Sequence, residues 1–288
     1  MLSHQRIMKT ILITGGTAGL GLEAALQLSA LGHDIIITGR DVDKCEKAKK
    51  QIEAAGTGNN VDFFVADLSS QKQIRKMSGE IHARAKKIDV LINNAGGVFH
   101  SFILTDEGIE KTFALNHMGY FLVTDFLLNL IPAGGRIINV SSDSHFSAVP
   151  DFESITKNNN HTFLKAYAWS KLANVLFTYE LARRLASKNI TVNAISPGRV
   201  KTLIGTKNQP WYVALGWKFL TAFSSVSPAE SVKTFVYLAT DEQVSGITGK
   251  YFFKSEEKRS SPLSYNKELS NRLWNHTESL VKYPFTKK

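Results

Sequence analysis

The sequence predicts an α/β protein: a single domain built on a doubly wound parallel β-sheet with helices on both faces. Three observations predict it. Short β-branched runs alternate with longer amphipathic stretches along most of the 288 residues. Glycines crowd the turn that follows the first run, and no internal repeat or linker rich in Pro, Gly or Ser divides the chain. A strand-helix alternation closes into a parallel sheet, and right-handed crossovers then distribute the helices over its two faces.

The elements follow in order. RIMKTILIT reads as the first strand and residues 20–31 as the helix after it; HDIIITG and residues 42–55 repeat the unit, then VDFFVA with residues 71–86, then IDVLIN. A helix around residues 121–130 leads to the strand GGRIINVSS. A helix carrying Tyr167 leads to NITVNAISPG, and a helix over 228–239 leads to a last strand, GKYFF. Residues 151–160, 200–226 and a charged tail from 254 to 288 stand outside the rhythm, where insertions usually reach the ligand side of the sheet.

Composition narrows the function. A hydrophobic content of 43% supports a large core. The formal charge of +10 suits a polyphosphate ligand or peripheral contact with an anionic membrane, whereas scattered Lys and Arg with no arginine-rich block argue against a nucleic-acid partner. Cys45 stands alone, so no internal disulfide forms, and no His/Cys cluster has metal-site spacing. The N-terminus passes from an apolar run straight into a Gly-rich turn, as a first strand does, and no run approaches the roughly 18 apolar residues of a membrane span. A cytoplasmic protein, at most peripheral to a membrane, is expected.

TGGTAGLG places Gly15, Gly19 and Gly21 where the first strand turns into a helix. Glycine lets the backbone turn tightly and approach a ligand, and a helix N-terminus offers free N–H groups to a pyrophosphate, the arrangement of a Rossmann-type sheet. At the end of the second strand an acidic residue would grip a ribose 2′-hydroxyl; here Gly39 and Arg40 stand there. A guanidinium matches a 2′-phosphate, so NADP(H) is favoured over NAD, with Lys44 adding charge and Asp41 capping the next helix. The ADL of residues 66–68 follows the third strand and can line the adenine.

TGGTAGLG, NNAG (residues 93–96), NVSS (139–142), YAWSK (167–171) and Pro197-Gly198 occur in this order. On these motifs the chain resembles a short-chain dehydrogenase/reductase over nearly its whole length. LNHMGYF, AWSKLANVLFTYELARRL and SGITGKYFF with NRLWNHTESLV look most like the retinol dehydrogenase-like branch, which acts on lipophilic alcohols and carbonyls; protochlorophyllide reductases are similar, less closely. The resemblance implies Tyr167 as acid/base, Lys171 as the residue that lowers its pKa and holds the nicotinamide ribose, Ser142 as the hydroxyl polarising the substrate oxygen, and Asn116 as fourth member. It implies cofactor contacts from Gly15, Thr17, Gly19, Leu20, Gly21, Arg40, Lys44, Asp67, Leu68, Asn94, Ala95, Gly96, Tyr167, Lys171, Pro197 and Gly198, a lipophilic small-molecule substrate, and room for a homo-oligomer.

The chemistry asks for these types independently. A tyrosine titrating near 10 is a poor base at neutral pH, and a neighbouring ammonium favours its phenolate. Tyr167 and Lys171 lie four apart, one above the other on a helix. Ser141 should point away from Ser142 across the strand. His117, His145 and His161 are expected to be solvated or locally bonded. In residues 200–226, Trp211, Leu215 and Phe219 form one helical stripe and Tyr212, Leu220 and Phe223 another, the pattern of an apolar substrate lid. The alternatives are an idle NADP-binding sensor or scaffold, and a protochlorophyllide reductase-like enzyme.

Overall fold

The computed structural model describes residues 8–158, 160–198 and 227–283; the expected lid, residues 200–226, lies outside the described residues. Seven strands run parallel and an eighth pairs antiparallel at one edge, in the order β3-β2-β1-β4-β5-β6-β7-β8. They are β1 (Thr10–Ile13), β2 (Asp34–Gly39), β3 (Val61–Val65), β4 (Val90–Asn93), β5 (Arg136–Val140), β6 (Thr191–Ser196), β7 (Lys250–Phe253) and β8 (Glu256–Lys258). The chain leaves β1 in one direction for β2 and β3 and returns to its other side for β4, so a crevice opens beyond the carboxyl ends of β1 and β4.

Strand alternation builds two cores. Ile11 and Ile13 of β1 face α1 (Gly19–Ala30) and α2 (Val42–Ala55), packing with Leu28 and Ile52, while Leu12 points to the opposite core with Ile74 of α3 (Gln71–Arg84). That second core also takes Leu122 of α5 (Gly119–Leu127) and Leu172 of α6 (Phe163–Arg184). Asn93 and Asn139 are register partners on β4 and β5 and share a 2.9 Å side-chain hydrogen bond, which pins the alignment of the two strand ends beside the crevice.

Three details depart from the sequence reading. A helical turn, α4 (Lys111–Phe113), and a π-helical turn over Ala114–Met118 precede α5, so Asn116 sits on an irregular stretch. The helix expected over 228–239 breaks at Val232 into α7 (Pro228–Ser231) and α8 (Lys233–Thr240). The tail is an integral part of the fold. It supplies β8 and α9 (Lys267–Ser279), whose Leu273 is buried and whose Trp274 stacks on Phe177 of α6 at 5.9 Å. Among the described residues no helix is long and apolar enough to cross a membrane.

Candidate active site

The Gly-rich turn is shaped by close contact. Gly15 has φ +69°, and a Cβ there would stand 2.9 Å from the Ala95 Cα; one on Gly21 would stand 2.3 Å from the Gly15 carbonyl oxygen and 2.5 Å from Asn94 Nδ2. Gly19, at φ +57°, would meet nothing within 4 Å among the described residues, so it faces open space. Ala18 offers α1 no side-chain cap, which leaves first-turn N–H groups for a ligand. Asn94 braces the turn by donating to the Thr14 carbonyl oxygen at 2.8 Å, and Thr14 Oγ1 accepts from the backbone N–H of both Asn94 and Ala95. Leu20 is buried against the sheet. The cradle therefore fits a pyrophosphate.

At the end of β2, a Cβ on Gly39 would fall 2.5 Å from Thr17 Cγ2 and 2.6 Å from Cys45 Sγ, so even alanine is excluded without a shift. Arg40 and Lys44 are exposed beside it. Asp41 caps α2 as expected, accepting from the Lys44 N–H at 3.0 Å. Asp67 receives the N–H and hydroxyl of Ser69, while Leu68 turns its side chain into the core. Pro197 and Gly198 (φ +76°) follow β6.

The four residues of the expected chemistry come from three separate pieces of chain: the π-helical turn, the end of β5 and α6. Asn116 is fully buried, accepts the Gly97 N–H at 2.8 Å, and donates to the Gly97 carbonyl and to Ser170 Oγ, both at 3.0 Å. Ser170 in turn donates to the Tyr167 carbonyl at 2.8 Å. Ser142 follows β5, its hydroxyl donating to Ser144 Oγ at 3.3 Å and close enough to the Tyr167 phenol to favour its ionised form, whereas Ser141 turns the other way and donates to the Lys171 carbonyl at 2.8 Å, as the alternation predicts. Lys171 Nζ lies 5.6 Å from the centre of the Tyr167 ring and donates to the Val140 carbonyl at 3.1 Å. A Cβ on Gly96 would come within 3.2 Å of Asn116 Oδ1 and 3.6 Å of Lys171 Nζ, so this glycine keeps open the space onto which both side chains face.

Burial governs the charges. It lowers Lys171 from the ordinary lysine value to about 7. It raises the Tyr167 phenol above its ordinary value; the Ser142 hydroxyl opposes this and the Asp143 carboxylate adds to it. In the protein alone, desolvation thus outweighs the pull of Ser142 on the phenol.

Two neighbours of Lys171 carry no role in the sequence reading. Tyr120, fully buried, places its ring 5.9 Å from Lys171 Nζ and its hydroxyl 3.5 Å from the Val140 carbonyl oxygen, which also accepts from Asn174 Nδ2 at 3.2 Å. A polar residue on a helical face otherwise destined for the core is the one signal Asn174 gives. The histidines correct the expectation: His117 and His145 are buried, and His117 bonds Asn174 and Thr277, far away in sequence, rather than water or near neighbours. His145 does bond locally, through Nδ1 to the Ser142 carbonyl at 2.7 Å, and His161 packs against Phe102.

Known proteins resemble this chain over most of its length. The sequence model of the short chain dehydrogenase family matches residues 9–213. Human Retinol dehydrogenase 13 is 35% identical over 284 residues, spanning 95% of this chain and 84% of its own. Human Polyprenol dehydrogenase is 33% identical over 274 residues, spanning 92% and 83%. Among solved structures, an uncharacterised protein from Mycobacterium Paratuberculosis matches at a TM-score of 0.75 and 26% identity over 98% of both chains. A short chain dehydrogenase from Burkholderia cenocepacia shares the fold at a TM-score of 0.68 and 24% identity, over 85% of this chain and 95% of that one. With its glycine cradle at the β1 end, its Tyr-x-x-x-Lys pair on α6 and relatives matched over most of their length, this chain belongs to the short-chain dehydrogenase/reductase family, in its retinol dehydrogenase-like branch.

Proposed function

We propose that the protein is an NADP(H)-linked oxidoreductase that moves a hydride between the nicotinamide and an alcohol or carbonyl carbon of a lipophilic small molecule. The observation that carries this reading is the convergence of Asn116 and Lys171 on Gly96, with the Tyr167 ring 5.6 Å from Lys171 Nζ beside them. A dinucleotide held by Gly15, Thr17, Gly19 and Gly21 would supply or take up the hydride. Tyr167 gives its phenolic proton to the carbonyl oxygen as the carbon is reduced and takes it back in the other direction. Ser142 donates to the same oxygen as charge develops on it. Lys171, in its charged form, stabilises the phenolate left behind, and Asn116 fixes Gly97 and the first turns of α6 around it.

The choice of NADP(H) rests on the end of β2, where Thr17 and Cys45 leave no space for a ribose-binding carboxylate and Arg40 and Lys44 stand exposed. The lipophilic substrate is supported by relatives named for retinol and polyprenol, and by the apolar stripes of residues 200–226. The net charge of +10 suits collection of such a substrate at an anionic membrane surface.

The test is NADPH oxidation, with NADH in parallel, against aldehydes and ketones of graded chain length together with retinal. Turnover that rises with chain length and prefers NADPH is expected. Tight NADPH binding with no turnover across the panel would instead make the protein a cofactor-bound sensor or scaffold.

A further inference from the structure

Residues after 213 lie beyond the family match, yet the C-terminal segment reaches the candidate active site twice, each time through a buried histidine. The first contact runs from α9. Thr277 Oγ1 lies 3.1 Å from His117 Nε2, His117 Nδ1 lies 3.4 Å from Asn174 Oδ1, and Asn174 Nδ2 donates at 3.2 Å to the Val140 carbonyl oxygen that Lys171 Nζ also uses. One proton arrangement matches these three pairs: the Thr277 hydroxyl donates to Nε2, Nδ1–H donates to Asn174 Oδ1, and the Asn174 amide donates to Val140. The Thr277 hydroxyl then turns from the Leu273 carbonyl, 2.8 Å away, toward the ring. All donors point from α9 toward the lysine.

The second contact runs from the SSPLS stretch between β8 and α9. The Ser261 N–H donates to His145 Nε2 at 3.0 Å, so Nε2 is bare and Nδ1 carries the proton, which it donates to the Ser142 carbonyl at 2.7 Å. Tyr179 of α6 fixes this stretch through a 2.6 Å bond to Ser260 Oγ. His145 is thus held on both sides, and its neutral form is the one that satisfies both partners.

We infer that the C-terminal segment is a clamp on the catalytic group, with His117 and His145 as positioning residues: His145 fixes the backbone of Ser142, and His117 fixes the carbonyl against which Lys171 is set. The inference rests on the catalytic roles proposed above for Ser142 and Lys171. Both histidines are buried, and their hydrogen bonds go to protein groups. A carbonyl has two lone pairs, and Val140 receives Lys171, Asn174 and Tyr120, so the angle at which Asn174 approaches decides where the ammonium rests. Without His117 and Thr277, Asn174 is free to turn, and the lysine shifts with it.

The test uses the full chain, decanal and NADPH, with Thr277→Val, Thr277→Ser, His145→Gln and His145→Phe, the first also in a Lys171→Met background measured by single turnover. Thr277→Val is expected to lower kcat by about threefold to tenfold with NADPH affinity and KM within about twofold, Thr277→Ser to restore it, and Thr277→Val to add no loss once Lys171 is methionine. Wild-type kcat in Thr277→Val, or the same loss in both backgrounds, overturns the clamp. If Thr277→Val does not fold, the His145 pair decides. Glutamine keeps an acceptor for Ser261 and should retain several-fold more turnover than phenylalanine; equal rates overturn the inference. Lys171→Met that keeps more than about a tenth of the wild-type rate defeats the reading of the site itself, and this inference with it.

Discussion

Replacing Lys171 with methionine separates what the side chain costs the fold from what it gives the chemistry. The lysine is 4% exposed, and burial lowers its pKa from the ordinary 10.5 to about 7. Below pH 7 the fold carries a buried charge that the unfolded chain keeps in water, a cost of up to about 4–5 kcal/mol. Between about pH 7 and 10.5 the unfolded chain binds one proton more than the fold, so stability rises with pH in that window by about 1.4 kcal/mol per unit and is flat on either side. Methionine brings similar length without charge, and the Val140 carbonyl keeps Asn174 and Tyr120 as donors, so no acceptor is orphaned. Lys171→Met is therefore expected to unfold at higher urea than wild type at about pH 6, with an advantage of a few kcal/mol that shrinks toward about pH 9, while turnover collapses. Urea titrations of both proteins without ligand, at both pH values, measure this. A variant less stable than wild type at the lower pH, or a gap that stays constant across the range, would refute the argument from burial.

Three further outcomes are expected. Tyr167→Phe should lower turnover by about two to four decades while leaving NADPH binding and unfolding nearly unchanged, because only the proton donor is lost; a rate above about a tenth of wild type would remove Tyr167 from the acid/base role. Arg40→Asp should erase or reverse a preference for NADPH of about one to two decades, read by fluorescence titration with both cofactors; equal affinities in the wild type would sink the assignment. Asn116→Ala breaks three hydrogen bonds in a fully buried position and should destabilise the protein by about 2–4 kcal/mol; a thermal midpoint within a degree or so of wild type would show that the π-helical turn does not depend on it.

The sequence by itself determined whatever depends on neighbours along the chain. Strand and helix order follow from local periodicity, the tight turn at Gly15 to Gly21 from residues that lack a Cβ, the cap of α2 from Asp41 one residue before the helix, and the opposite facing of Ser141 and Ser142 from the two-residue repeat of a strand. The family resemblance carried by the ordered motifs also named Ser142, Tyr167 and Lys171, and Asn116 on that resemblance alone. Only the tertiary structure decided what meets at the Val140 carbonyl oxygen, because Lys171, Asn174 and Tyr120 arrive there from two helices and His117 adds α9 behind them. It also made Gly39 a matter of space as well as charge, since Thr17 and Cys45 lie against it from other elements. The tail stood outside the strand-helix rhythm in the sequence because α9 carries several charges and just a few apolar residues. Those few become legible once α5 and α6 stand together to receive Leu273 and Trp274, since burial is a property of the assembled fold and not of any one segment.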